Sequence, residues 1–162
     1  MSAARKLLIF SGIALASLGM LYGLHYALFV EHQTLDQLGG SLAAGFVHAA
    51  NRQMPEAHTA IDEYAAVKYN YVRQVDLHSH WIGLGMIMIV LGFVFDDVAF
   101  GSRMQFWLAL AFAIGATTFP LGVILQTFTH GAAFASAMAI GGSGLVIASM
   151  SFIAIGFARA TP

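Results

Sequence analysis

The chain has 162 residues, of which 59% are hydrophobic and 9% are charged, and its formal net charge is −1. Its mean hydropathy of +0.76 lies far above that of soluble globular domains, and without a basic patch nucleic acid is excluded as a partner. Cysteine is absent, which excludes disulfides, thiolate metal ligands and cysteine nucleophiles. We therefore expect an all-α integral membrane protein that forms a single membrane domain over residues 1–162 in contact with lipid.

Four apolar windows are long enough to cross a hydrocarbon core about 30 Å thick, which takes roughly 20 residues of helix. They cover about residues 7–30, 77–95, 104–126 and 131–158. The first resembles a signal sequence, but its apolar run is too long for a cleaved signal, so we expect a retained helix. Short connections between the later helices predict an antiparallel four-transmembrane-helix bundle.

The basic residues favour one orientation of this bundle. Four of them would lie near cytoplasmic helix ends and three in the segment 31–75: Arg5, Lys6, Arg103 and Arg159 against Arg52, Lys68 and Arg73. The positive-inside rule then predicts a bacterial-type inner-membrane protein with both termini in the cytoplasm and the long segment outside.

The external segment 31–75 has helical periodicity in two blocks. Apolar residues from Leu35 to Ala49 step by three or four positions, which predicts an amphipathic helix. Pro55 lies where a second helix would restart, and no breaker separates it from the second span. We therefore expect the second transmembrane helix to begin well outside the bilayer.

The last two spans carry further packing signals. Pro120 lies inside the third span and removes a backbone hydrogen bond, and Thr117 and Thr118 are candidates to satisfy the carbonyls it frees. The fourth span repeats small residues at helical spacing, at Ala133, Ala137, Gly141, Gly144 and Ala148. Such a stripe indicates close packing within the bundle or between protomers, or alternatively a smooth wall for a flat cofactor.

Four histidines fall at the outer edge of the predicted spans: His25, His78, His80 and His130. At 1.5 Å of rise per residue they lie within about 10 Å of one depth. Polar side chains in a membrane are costly and usually face a bundle interior or a cavity, so we predict that at least one is a ligand. Residence at the interface is the alternative for each of them.

His78 and His80 are not equivalent, because positions two apart on a helix point about 200° away from each other. Trp81, Gly85 and Gly92 lie on the His78 side, and the glycines predict a groove down that face. We therefore predict His78 as the metal ligand and His80 as a supporting or interfacial residue, with His25, His130, Trp81 and Gly85 as further cofactor-binding candidates.

The donor set favours haem over other metal centres. A closed zinc site needs about four ligands, and the apolar spans contain neither cysteine nor carboxylate. Haem needs one or two axial histidines within apolar walls, and the absence of a CxxCH motif favours haem b over haem c.

The stretch "HSHWIGLGM" resembles styrene oxide isomerase, a small four-helix membrane protein that uses haem b. The second-helix motif of that family corresponds here to His78, Ser79, Gly85 and Met86, and "GMLYGLH" on the first helix places His25 in a similar position. The resemblance implies His78 as the axial ligand of a haem b near the protomer interfaces of a homotrimer. It also implies epoxide isomerisation to an aldehyde, with ferric haem as a Lewis acid.

Two positions depart from the family. The isomerases carry an asparagine six residues after the histidine, where this chain has Leu84, and a tyrosine on the third helix, where residues 104–126 have none. Haem binding does not depend on these residues, whereas epoxide positioning does, so the catalytic residues are unknown and a small apolar ligand is the more general expectation.

Two other functions stay open at the level of sequence. One is an electron-transfer cytochrome b in which His78 and either His130 or His25 bind both faces of the haem. The other is a non-catalytic accessory subunit of a larger membrane complex, in which the histidines pack at an interface.

Overall fold

The computed structural model describes residues 1–129 and 132–160. These residues form five α-helices and contain no strand. The helices are α1 (Ala3–Phe29), α2 (Glu31–Ala50), α3 (Met54–Val94), α4 (Ser102–Phe128) and α5 (Ala133–Arg159). A short 3-10 turn at Phe95–Asp97 follows α3.

The helices confirm the fold predicted from hydropathy and periodicity. Helices α1, α3, α4 and α5 are each long and apolar enough to cross a membrane. The segment after the first span is helical, as its period predicts, and α3 runs unbroken for 41 residues, about twice the length needed to span a bilayer. The chain is therefore an all-α integral membrane protein.

The described chain divides into two compact units, one of residues 1–21 and 76–160 and one of residues 22–75. The first unit contains a hydrophobic core to which all four membrane-spanning helices contribute. Its largest fully buried side chains include Leu8 of α1, Met88 of α3, Phe112 of α4 and Ile153 of α5. Helix α4 is the most enclosed, because half of its most apolar window is buried, against 22% for α5.

Helices α1 and α3 pack through glycine. A Cβ atom on Gly12 would lie 2.6 Å from the carbonyl oxygen of Gly85, and one on Gly19 would lie 3.0 Å from that of His78. Real Cβ atoms essentially never come within 3.0 Å of another atom in this way, so a side chain at Gly12 would force the helices apart, and the contact at Gly19 lies at that limit. A salt bridge of 3.2 Å between Arg5 and Asp96 joins α1 to the turn after α3.

Helices α4 and α5 also pack through small residues, but not through the stripe that the sequence singled out. Gly122 meets the backbone of Ala139, and Gly142 meets the backbone of Phe119. The predicted stripe is exposed along its whole length: Ala133, Ala137, Gly141, Gly144 and Ala148. The expectation that this stripe packs within the bundle is wrong. Helix α5 has two faces of small residues, and the other face, which includes Gly142, contacts α4.

The interior proline of α4 is accommodated differently from the prediction. Pro120 is buried and has no backbone N–H. The carbonyl of Ala116, four residues earlier, therefore lacks the helical hydrogen bond that any other residue at position 120 would donate. The hydroxyls of Thr117 and Thr118 donate instead to Ala113 and Ile114, each at 2.9 Å. A threonine hydroxyl reaches back to the carbonyl of its own preceding turn, so neither satisfies Ala116.

The second unit is built from α2, the first part of α3 and the end of α1. Ser41 and Gly45 of α2 are buried, as are Ala57 and Ala60 of α3. Arg52, in the left-handed region at φ 62°, lies in the short connection between α2 and α3. The Tyr22 hydroxyl donates to Gln74 Oε1 at 2.7 Å, which ties α1 to α3.

Candidate functional site

The candidate site is the stretch of α3 that contains His78 and His80. The core-facing stripe of α3 runs through Leu77, Trp81, Leu84 and Met88, all of which pack in the bundle. His78 and His80 precede Trp81 by three residues and one, so they flank this stripe on opposite sides. Both histidines are half-buried.

His80 is oriented by its own helix. Its Nδ1 lies 2.6 Å from the carbonyl oxygen of Asp76, one turn earlier. A carbonyl oxygen only accepts hydrogen bonds, so Nδ1 carries the proton and donates it. In the neutral imidazole Nε2 then carries the lone pair, the form in which histidine binds a metal.

A second contact holds the His80 ring from α4. The rings of His80 and Phe119 meet edge to face, with centroids 4.8 Å apart and an interplanar angle of 79°. Phe119 lies nine residues before the end of α4 at Phe128, which corresponds to about 13 Å along the helix. His80 is therefore set well inside the length of α4 rather than level with its end.

The His78 side of α3 is covered by α1. The predicted groove would run past Gly85 and Gly92, but a Cβ on Gly85 would lie 2.6 Å from the Gly12 oxygen, and one on Gly92 would lie 2.5 Å from Ile9. The prediction of an open groove on this face is wrong, because α1 fills it. The assignments of His78 as metal ligand and of Gly85 as a cofactor contact stay predictions.

The open glycine of this stretch is Gly83, on the His80 side. Nothing lies within 4 Å of a Cβ built on it, and Ile87, one turn further along, is exposed. The two residues continue the helix face of His80 at i+3 and i+7. Sequence reasoning missed Gly83, although a glycine one turn after a histidine was a visible signal.

Two other motif residues face the bundle interior. Trp81 is half-buried against the core, and its indole nitrogen is fully buried with no hydrogen-bond partner among residues 1–129 and 132–160. Leu84, which stands where the isomerases carry asparagine, also packs against the core. The indole N–H of Trp81, which directly follows His80 in the sequence, is therefore a buried donor without an acceptor among the described residues.

The remaining candidate histidines are His25 and His130. His25 belongs to the second unit, is exposed, and contacts Phe29 edge to face at 5.4 Å. His130 lies outside the described residues. In the second unit, His48 donates from Nδ1 to the side-chain oxygen of Gln53 at 2.8 Å, and His58 is exposed.

The metal-binding donors at this site are the separate imidazoles of His78 and His80. Among the described residues no group of three or more histidine, acidic or cysteine side chains is placed to hold a metal ion. A haem iron takes only one or two protein ligands, and an imidazole with its proton on Nδ1 is suited to that role. The surface beside His80 is open at Gly83 and Ile87.

Two cavities of the first unit lie away from these histidines. One of about 160 Å³ lies between Leu91 of α3 and the Ile153–Phe157 turn of α5. The other, a cleft of about 320 Å³, lies between α1 and α4 and includes the hydroxyls of Ser11, Thr117 and Thr118. No histidine lines either cavity.

No protein-family model, curated protein or solved structure matches this chain.

Proposed function

We propose that this chain is a membrane haem b protein in which an imidazole of α3, from His78 or His80, ligates the iron. The observation that carries the proposal is the bond from His80 Nδ1 to the Asp76 carbonyl, which leaves Nε2 as a coordinating nitrogen in an apolar helix. Histidine is costly in such surroundings, and a cofactor would explain its position. The resemblance of "HSHWIGLGM" to the isomerase motif supports the same cofactor.

The protein's contribution is to hold and enclose the cofactor. The hydrogen bond to Asp76 fixes the tautomer and leaves Nε2 as the nitrogen that would ligate the iron. Apolar side chains around this turn of α3, such as Leu84 and Ile87, would exclude water. When bound, haem would supply a Lewis acid for an oxygen-containing apolar substrate, an epoxide by resemblance.

We also propose that the protein is a homo-oligomer with a defined orientation in the membrane. The exposed small-residue stripe of α5 supports close packing against another copy, a trimer by resemblance. The basic residues Arg5 and Lys6, with Arg103 and Arg159, support cytoplasmic termini in a bacterial-type inner membrane.

The test is the absorption spectrum of the full chain purified from membranes of haem-supplied cells. A Soret band with the pyridine haemochrome of haem b is expected, and cyanide or imidazole should shift the band if one iron face is open. A six-coordinate spectrum that ignores both ligands would replace the isomerase interpretation with an electron-transfer cytochrome. A preparation without a Soret band would contradict haem binding and leave the accessory-subunit interpretation.

A further inference from the structure

The two histidines of α3 differ in the surroundings that the structure provides for them. His78 lies on the face that α1 covers, where Gly19 and Gly12 approach the α3 backbone. His80 lies on the opposite flank of the core stripe, against Phe119 of α4. An axial histidine must present one ring nitrogen to the iron. The surface around that nitrogen must also leave room for the flat macrocycle.

The first requirement is met by His80. Its Nδ1–H donates to the Asp76 carbonyl, and the edge-to-face contact with the Phe119 ring restricts rotation of the imidazole. Two contacts from two helices thus set both the tautomer and the ring orientation. A ligand that is held before the metal arrives binds more tightly than one that must be ordered.

The second requirement is met by the surface beside His80. Gly83 lies one turn further along the same face, and nothing lies within 4 Å of a Cβ built there. The equivalent glycine on the His78 side, Gly85, has α1 backbone within 2.8 Å of its Cβ position. A planar cofactor therefore finds space over Gly83 and none over Gly85.

We infer that His80 is the axial ligand and that the macrocycle lies over the α3 face at Gly83 and Ile87. The inference rests on the proposed haem function, and it departs from the assignment of His78 that the family resemblance implies. In this arrangement His78 belongs to the packing between α1 and α3.

The experiment compares His80→Gly and His78→Gly in the full chain, with His58→Gly as a matched control on an exposed external histidine. Haem per protein and the Soret spectrum are measured, and circular dichroism and elution volume report folding. His80→Gly should lose about 10-fold or more of its haem, as removal of a ligand costs more than loss of a supporting residue. Added imidazole should restore the band in His80→Gly, because it can occupy the vacated position.

A second variant tests the location of the macrocycle without touching a histidine. Gly83→Leu should lower haem content while folding is kept, because the added side chain meets only open space in the protein. Gly39→Leu is its control, since Gly39 of α2 is also open. Full haem content in Gly83→Leu would contradict the placement of the macrocycle.

The outcomes separate the inference from the function. Loss of haem in His78→Gly with imidazole rescue there overturns the inference, whether or not His80→Gly is rescued, and leaves the haem function standing. If both variants lose haem and added imidazole restores the Soret band only in His80→Gly, the inference is supported. If both lose haem and imidazole restores the band in neither, the result counts against it. Haem in neither the variants nor the wild-type protein would defeat the proposed function itself.

Discussion

A Cβ atom added to Gly85 of α3 would lie 2.6 Å from the carbonyl oxygen of Gly12 of α1. Together with the close approaches at Gly19 and Gly92, this approach holds two membrane-spanning helices close together and closes one face of α3. The face that carries His78 is therefore a packing surface, and the face that carries His80 and Gly83 is the open one.

Alanine at Gly85 should destabilise the bundle, whereas alanine at Gly83 should not. The Gly85 methyl would meet backbone atoms, which cannot move without shifting α1, and overpacking of this kind costs about 1–3 kcal/mol. Gly83 faces open space, and alanine there improves helix propensity. Thermal unfolding in detergent measures the difference, and equal stability of the two variants would contradict the α1–α3 contact.

The two small-residue faces of α5 should respond differently to bulk. Gly142→Leu should prevent normal folding, because its Cβ position lies 2.4 Å from the Phe119 nitrogen. A Cβ atom on Gly144 has no described residue within 4 Å, so Gly144→Leu should keep the helical spectrum and reduce the oligomer to smaller species. Light scattering of the detergent complex gives the mass, and an unchanged mass for Gly144→Leu would count against protomer packing on this stripe.

Phe119→Leu should weaken haem binding without abolishing it. The substitution keeps an apolar side chain but removes the aromatic edge that restricts the His80 ring, and loss of a supporting contact costs about 10–100-fold in metal affinity. Haem titration of the apoprotein measures this affinity. Phe128→Leu is the control, because Phe128 is an exposed residue of the same helix, and equal affinities of the two variants would sink the proposed role of Phe119.

Gln105→Ala should lower the free energy of unfolding by about 0.5–1.5 kcal/mol, because it removes a buried side-chain hydrogen bond to the Val98 oxygen, which then keeps only the backbone N–H of Phe100 as donor. Gln105 is 8% exposed, and its Nε2 donates to the Val98 oxygen at 2.9 Å in the connection between α3 and α4. Reversible unfolding in mixed micelles gives the free energy. Gln37→Ala, at an exposed position of α2, should change it little, and the same small effect for Gln105→Ala would contradict the anchoring role.

Much of the fold was predictable because it depends on local properties of the chain. Four stretches of about 20 apolar residues determine four spanning helices, since a bilayer satisfies no backbone polar group and a helix satisfies its own. The long helix α3 followed from an unbroken period after Pro55, which the range Met54–Val94 confirms. The presence of histidine in these spans is likewise visible in the sequence alone.

The covering of each helix face was decided only by tertiary structure. Gly83 and Gly85 are two residues apart and look alike in sequence, yet one is open and the other is sealed by Gly12, more than 70 positions earlier. The same holds for the two small-residue faces of α5, of which α4 covers one. The sequence of a helix determines which side chains share a face. The helix that packs against that face belongs to a distant segment of the chain, so only the tertiary structure determines the surroundings of His78 and His80.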